Sequence, residues 1–502
     1  MIRLNNKNKI TRHFLCLVIL FLSKECLPQG YNSTFFLGYN AKARMSFTDT
    51  SYSIIPETRT IPFDYTQGNI SDENGNLLMS SNGIFIANAT GDTMLNGEGL
   101  NPGQFADDFP AGLPIPYGNI ILPMPDDSTK YVLFHQTGDY NSIATLASPE
   151  IFYSVVDISM NGGFGQVVSK NNIAMTGSFG WGLSACKHGN GRDWWVIALN
   201  DSATISYKFL LTPDTIQFIN SQYMQALSHI GFAGQPTFSP DGEKFGYTSG
   251  DGFTGPWLMA ANLFSFDRCS GDFMLDTVIN YIDGNPGFGC AFSPNSKYFY
   301  FSTTEHIYKV AVDTPNIGAT FQMVAINDTF LSAPPVFYTN FHLMYLAANG
   351  KIYISSGSSV KHFHEINNPD SAGMACDVQL HNVFTGVFTF GVPNHPNYYL
   401  GRKIGSVCDS LTSVNEIEHD FKFKIFPNPN NGNFKIMYFL PQNKAGKLEI
   451  FDINGRAVYS QNLPQWSTLQ FISLPKIANG IYAIKINSDN FSVTKKLIIH
   501  HE

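Results

Sequence analysis

A chain of 502 residues is too long for one ordinary core, so two or more domains are expected. Only 14% of the residues are charged, Gly, Phe and Tyr are abundant, and long Ala/Leu/Glu/Lys runs are missing. This composition excludes a helical bundle and points to an all-β protein, while the formal charge of −8 argues against a nucleic-acid partner.

The first element is a targeting segment. Arg3, Lys7, Lys9 and Arg12 form a basic stretch ahead of the apolar run Phe14–Leu22, which is too short to cross a bilayer. Residues 1–30 therefore read as a signal peptide, with Gly30 as its candidate last residue. Lys24 and Glu25 stand where a lipobox needs small apolar residues, so Cys26 is not read as a lipidation site. No other stretch reads as a membrane-spanning helix, and the mature chain is expected to be exported. Its charge would be −12, divided between −18 over residues 31–420 and +6 over residues 421–502.

Six strand-turn-strand units follow. They are SDENGNLLMSSNGIFIANATGD from Ser71, GNIILPMPDDSTKYVLFHQ from Gly118, GLSACKHGNGRDWWVIALN from Gly182, PTFSPDGEKFGYTSG from Pro236, CAFSPNSKYFYFSTTEHIYKVAVD from Cys290 and HLMYLAANGKIYISSGSS from His342. The fourth and fifth share a Phe-Ser-Pro-Asp/Asn turn in which Pro presets φ and the next two residues accept a tight reversal. In the fifth, Tyr298, Tyr300 and Ser302 alternate with Phe299 and Phe301, as a strand requires. A spacing of about 45–65 residues suits a four-stranded propeller blade with its loops. Six units fit, and a seventh would be completed if N- and C-terminal strands met, which leaves few open edges. The expected architecture is thus a six- to seven-bladed β-propeller over residues 31–412.

The Ser-Pro-Asp-Gly pattern resembles the WD40-like PD40 repeat of TolB-type propellers. The segments Leu263–Phe273, Glu365–Leu380 and Gly391–Thr412 are similar to propeller proteins exported by Bacteroidota, and in that resemblance the last of them ends the propeller. Five cysteines fall in this region. Cys269–Cys290 and Cys376–Cys408 are candidate disulfides with Cys186 left over, although sequence alone does not fix connectivity.

Chemistry in the propeller is sparsely signalled. His362 and His364 in VKHFHEI project to one face of a strand, but a third metal ligand is not identifiable and two exposed histidines are the expectation. Arg192, Asp193, Trp194 and Trp195 in NGRDWWVI suit a sugar-stacking site, yet the two indoles point to opposite faces and one is expected in the core. PDGE at 240–243 and DINGR at 452–456 lack a full set of calcium ligands and read as turns. Asp107–Asp108 and Asp126–Asp127 are placed in Pro-rich loops, where adjacent carboxylates do not make an acid/base pair. Nucleophile-elbow, zincin, phosphate-loop and sialidase signatures are missing. No catalytic residue, cofactor or metal is nominated.

A polar connector, 413–420, leads to seven short strand candidates in residues 421–502, as in an immunoglobulin-like sandwich. FPNPNNGNF, LEIFDINGRAVYSQ, ANGIYAIKI and TKKLII occur there in order. Together they resemble the type A C-terminal sorting domain of the type IX secretion system. The motif residues carried over are Phe426, Pro427, Asn428, Pro429, Gly432, Asp452, Gly455, Arg456, Gly480 and Tyr482. The resemblance implies passage through a type IX translocon, removal of the tail by a surface sortase, and a secreted or outer-membrane-surface product. Pro427 and Pro429 cannot donate ladder hydrogen bonds and hold their predecessors extended, so this stretch is expected to set the start of the sandwich and space it from the cargo. The propeller is then expected to bind a protein or glycan ligand through its loop face or channel. The alternatives are a secreted hydrolase of polysaccharide or peptide with its site in the channel, and a structural adhesin.

Overall fold

The computed structural model describes residues 30–39, 42–48, 50–140, 147–224, 234–250, 257–333, 337–409, 423–438, 445–463, 469–488 and 491–501. The signal segment and the 413–420 connector lie outside them. The chain divides into two compact units, Met1–Ser410 and Leu411–Glu502.

Among the described residues, the first unit is a propeller of seven blades. Blade I has three strands, Thr34–Leu37, Lys42–Phe47 and Tyr52–Glu57. Blades II to VII have four each, and their innermost strands are Gly68–Ser71, Asn119–Pro123, the second half of Gln166–Lys187, Thr237–Phe238, Pro286–Phe292 and Met344–Leu346. Five of the six strand-turn-strand units read from the sequence contain the inner hairpins of blades III to VII, whereas the unit from Ser71 spans the second and third strands of blade II and only the end of its innermost strand. The 22-residue strand Gln166–Lys187 is shared. Its first part pairs with Ser148–Asp157 in blade III and its second with Trp194–Asn200 in blade IV, and Gln166 also meets Leu95 of blade II.

Side-chain alternation decides which neighbour each blade packs against. Phe299 and Phe301 of blade VI join Leu263 and Ile279 of blade V, whereas Tyr300 on the opposite face joins Ile352 and Ile354 of blade VII. Phe35 and Met45 of blade I lie against Tyr345 and Phe363 of blade VII, which closes the ring. Burial on both faces of every sheet is the main source of stability, since apolar area removed from water contributes about 25 cal/mol per Å².

Closure does not use a strand ladder. Residues 389–399 run antiparallel to the first strand of blade I, from Gly38, whose N–H donates to Thr389 Oγ1 (3.2 Å), to Tyr31, whose N–H donates to the Tyr399 hydroxyl (2.9 Å). They add no strand to that blade. The edge carbonyls they would pair with are taken instead by side chains of blade II: Gln67 Nε2 donates to Phe36 O (2.8 Å) and Asn69 Nδ2 to Thr34 O (2.9 Å).

The second unit is a two-sheet sandwich of seven strands. Phe423–Phe426, Asn433–Tyr438 and Leu469–Ser473 form one sheet; Ala457–Leu463, Gly446–Phe451, Gly480–Ser488 and Phe491–Ile499 form the other. Its core holds Ile436, Tyr438, Leu448, Ile450, Ile484, Ile486 and Leu497. Leu448 faces Ile486 and Ile450 faces Ile484 across the ladder, as their alternation dictates.

Candidate functional site

The propeller channel is filled by its own chain. Asn394 Nδ2 donates to Asn119 O of blade III (3.0 Å) and Leu183 O of blade IV (2.8 Å), and its N–H donates to Gln67 O of blade II (3.2 Å). His395 Nε2 donates to Asn69 O (2.8 Å), and its Nδ1 accepts from the Tyr345 hydroxyl of blade VII (2.8 Å). The Tyr398 hydroxyl donates to Ile121 O (2.9 Å). Inner strands present unpaired carbonyls to a channel, and this segment satisfies them. Part of the His395 ring faces a remaining cavity, yet the fold surrounds it, and burial pushes its pKa down to about 4.

That cavity, about 170 Å³, lies between residues 394–400 and blades IV to VII. Asn32, Ser184, Phe238, Phe292, Met344 and Leu346 are among its walls, and no Asp, Glu, Lys or Arg lines it. Paired carboxylates for glycoside or peptide hydrolysis are therefore not provided there. The expectation of an open channel, as a contact surface or a hydrolase site, is corrected: the channel holds residues 391–400.

The disulfide expectation is corrected as well. Cys269, in the turn between the third and fourth strands of blade V, is bonded to Cys408, 139 residues on. Cys290 and Cys376, the expected partners, are buried thiols in blades VI and VII, as is Cys186 in blade IV. Linear proximity misled the pairing, because channel threading carries residue 408 back to blade V. Burial pushes the Cys186 thiol up to about 12.

The histidine pair is part of a surface cluster on blade VII rather than two exposed residues. His364 is only 1% exposed, its Nδ1 accepts from the His381 N–H (3.0 Å), and burial pushes its pKa down to about 4. His362 is half-buried; its Nδ1 bonds Ser332 Oγ at 2.9 Å, and burial, then the nearby His381, hold its pKa below the usual value. His381 bonds Asp328 Oδ2 (2.9 Å) and stacks on Phe330 with ring centres 4.0 Å apart. Phe384, 61% exposed, lies 5.1 Å from the His362 ring, and Phe337 and Tyr338 are exposed in the preceding loop. The partners Phe330, His381 and Phe384 carried no sequence signal, because three separate segments bring them together.

Other candidates are structural. Trp194 and Trp195 are both buried, one beside Tyr398 and under Lys187, the other donating Nε1–H to Arg268 O (2.8 Å). Arg192 pairs with Asp193 (2.8 Å) and Asp126 (3.1 Å), tying the inner turns of blades III and IV. Asp107–Asp108 lie in a helical turn, Gln104–Asp108, rather than a loop. Asp283, Glu305 and His306 bring three ligand-type atoms within 4.8 Å of one another. Asp283 already accepts from Gly284 N–H (2.7 Å), Thr303 Oγ1 (2.8 Å), the Tyr308 hydroxyl (2.8 Å) and His306 Nδ1 (2.8 Å), so no metal is assigned to it.

In the sandwich, the motif residues group into two devices. Asn428 Nδ2 donates to Lys496 O and its Oδ1 accepts from Ile498 N–H, both at 2.8 Å. Asn430 N–H donates to Ile498 O (3.0 Å), and His500 N–H donates to Asn430 O (2.8 Å). The FPNPN stretch thus stitches the last strand to the opposite sheet's first strand. Gly432, at φ 86°, packs against the Leu474 carbonyl where a Cβ would not fit. The second device is the turn 452–456: Asp452 Oδ1 accepts from Asn454 and Arg456 N–H (both 3.0 Å), Gly455 takes φ 77°, and Ile453 and Arg456 project into solvent. Gly480 pairs with Ile499, and the Tyr482 hydroxyl donates to Ala478 O (2.8 Å). Phe426 pairs with Lys435.

Residues 424–500 match the family described as the secretion system C-terminal sorting domain. No curated protein matches the chain. Among solved structures, a protein from Lactobacillus plantarum is similar over 88% of this chain and 99% of its own, at 11% identity and a TM-score of 0.36. A putative 6-phosphogluconolactonase from Bacteroides uniformis is similar over 88% and 100%, at 11% identity and a TM-score of 0.36, and a periplasmic gluconolactonase from Pseudomonas aeruginosa over 89% and 99%, at 10% identity and a TM-score of 0.34. Likeness at this level says nothing of activity, and the propeller assignment stands on the seven blades themselves. Among the described residues no helix is long and apolar enough to cross a membrane. With its C-terminal unit a member of the secretion-system sorting-domain family, this chain is a secreted or outer-membrane-surface propeller protein.

Proposed function

We propose that the protein enters the periplasm by a signal peptide over residues 1–30 and engages the type IX translocon and sortase through a sorting domain over 421–502. The propeller, residues 31–412, then binds a protein or glycan ligand outside the cell. The observation that carries the binding reading is the cluster on blade VII, where exposed Phe330 and Phe384 stand beside His362, His381 and Asp328. Flat aromatic faces next to hydrogen-bonding groups suit both sugar rings and protein side chains. A hydrolase acting on polysaccharide or peptide from the channel draws no support from a channel that is filled and a cavity without charged side chains.

The test is binding of the purified full chain to a polysaccharide array and to an extracellular protein extract. Phe330→Ala with Phe384→Ala is expected to weaken the interaction tenfold or more, about 1.4 kcal/mol, with surface delivery unchanged. Equal binding by the variant would place the contact elsewhere. Separately, deletion of 421–502 is expected to retain the protein in the periplasm.

A further inference from the structure

The channel segment ends in an anchor. We propose that the Cys269–Cys408 bond is a mechanical latch: it passes traction on the C-terminal tail into blades IV and V, so that the segment closing the propeller is not peeled out of the channel. This rests on the export reading, in which the tail is the part of the chain that the secretion machinery holds.

Three observations build the inference. First, the channel segment is held by bonds made one after another along the chain, at Asn394, His395, Tyr398 and Tyr399. A pull from the C-terminal side loads such bonds singly, and each is weak alone. Second, the bond sits at residue 408, and the propeller unit ends at Ser410, so traction meets the disulfide before it meets the bonds of Tyr399, Tyr398, His395 and Asn394. Third, the fixed end is embedded. Arg268, next to Cys269, is buried and donates Nε–H to Lys187 O (2.9 Å) and Nη2–H to His188 O (3.2 Å), with a further bond to Gly401 O. Its own carbonyl accepts from Trp195 Nε1 (2.8 Å) and Gly189 N–H (2.8 Å), and the Cys269 carbonyl from His188 Nε2 (3.0 Å). The backbone at Gly189 passes so close to both sulfurs that a Cβ there would collide with them.

The molecule carries its own reporter. Cys186 is a buried thiol in the wall of the cavity, and Leu400 of the channel segment meets it at Gly242. Withdrawal of the segment uncovers it.

The experiment pulls the purified full chain between a handle on blade II and one at the C-terminus. The native chain is expected to show no release of residues 389–408 before the blades themselves break. After reduction in place by a dithiol, which becomes a cyclic disulfide as Cys269 and Cys408 gain two electrons and two protons, an early low-force step of about 70 Å is expected, the extended length of those residues. Cys269→Ser with Cys408→Ser is expected to give the same step and to raise the maleimide labelling rate of Cys186 about tenfold or more. Because reduction acts on protein already folded, failure of the double variant to fold leaves the comparison intact. An identical first step in native and reduced chains overturns the latch. The force trace does not pass through the secretion machinery, so it stands or falls apart from the sorting reading, which the tail deletion tests.

Discussion

Gly189 shows how one position governs a covalent feature far away in sequence. Cys408 and Cys269 approach each other over its bare backbone. Gly189→Ala is expected to hinder the bond, leaving free thiols in a titration of the non-reduced protein and lowering stability by about 2–4 kcal/mol, the usual worth of a disulfide closing a long loop. A full complement of disulfide in the variant would contradict this. Neither the glycine nor the pairing was legible in the sequence, because both depend on residues 391–409 returning through the channel. The buried state of both Trp194 and Trp195 was hidden for a related reason: strand alternation places them on opposite faces, but only two flanking blades make both faces core.

At the scale of elements, much more could be read. The inner hairpins of blades III to VII, the middle hairpin of blade II and the seven strands of the sandwich have alternating apolar residues and turns with identifiable chemistry, which are local properties. The outer strands, the shared strand Gln166–Lys187 and the blade VII cluster were not readable, since they depend on which segments meet. The role of FPNPN was half visible. Its prolines follow the strand Phe423–Phe426 and end it, rather than set the start of the sandwich, and its asparagines fasten the last strand. Asn428→Ala removes two hydrogen bonds to that strand and is expected to cost about 1–3 kcal/mol. Amide exchange at Ile498 and His500 should quicken while that at Leu448 and Ile450 is little changed; uniform quickening would mean that the sandwich unfolds as one and that the stitch is not local.

For the whole molecule, buried histidines predict acid sensitivity. His135 donates Nδ1–H to Asn101 Oδ1 (2.8 Å) and bonds Ser154 Oγ through Nε2 (2.9 Å); burial pushes its pKa down to about 3, and that of His364 to about 4. Unfolded, both titrate near 6.5, so between that value and the folded ones the unfolded chain binds more protons. Their contribution is complete above pH 6.5 and is lost as pH falls toward 4, on the order of 3 kcal/mol for each. Asp64 works against this: burial raises it to about 6, so it favours the folded chain at low pH and loses that effect as pH rises through 6. Thermal melts are expected to drop between pH 6.5 and 4, less steeply in His135→Gln if that variant folds and in His364→Phe. A flat profile would show that the two imidazoles are not held neutral.

The late position of the channel segment in the chain has a consequence for biogenesis. Until residues 389–399 have been made, the blades surround a channel in which the carbonyls of Asn69, Asn119, Ile121 and Leu183 lack the partners that the finished chain gives them. Every chain truncated upstream of that stretch keeps this unfilled channel, whatever the quality of its blades. Filling of the channel thus marks that translation has run almost to the address label.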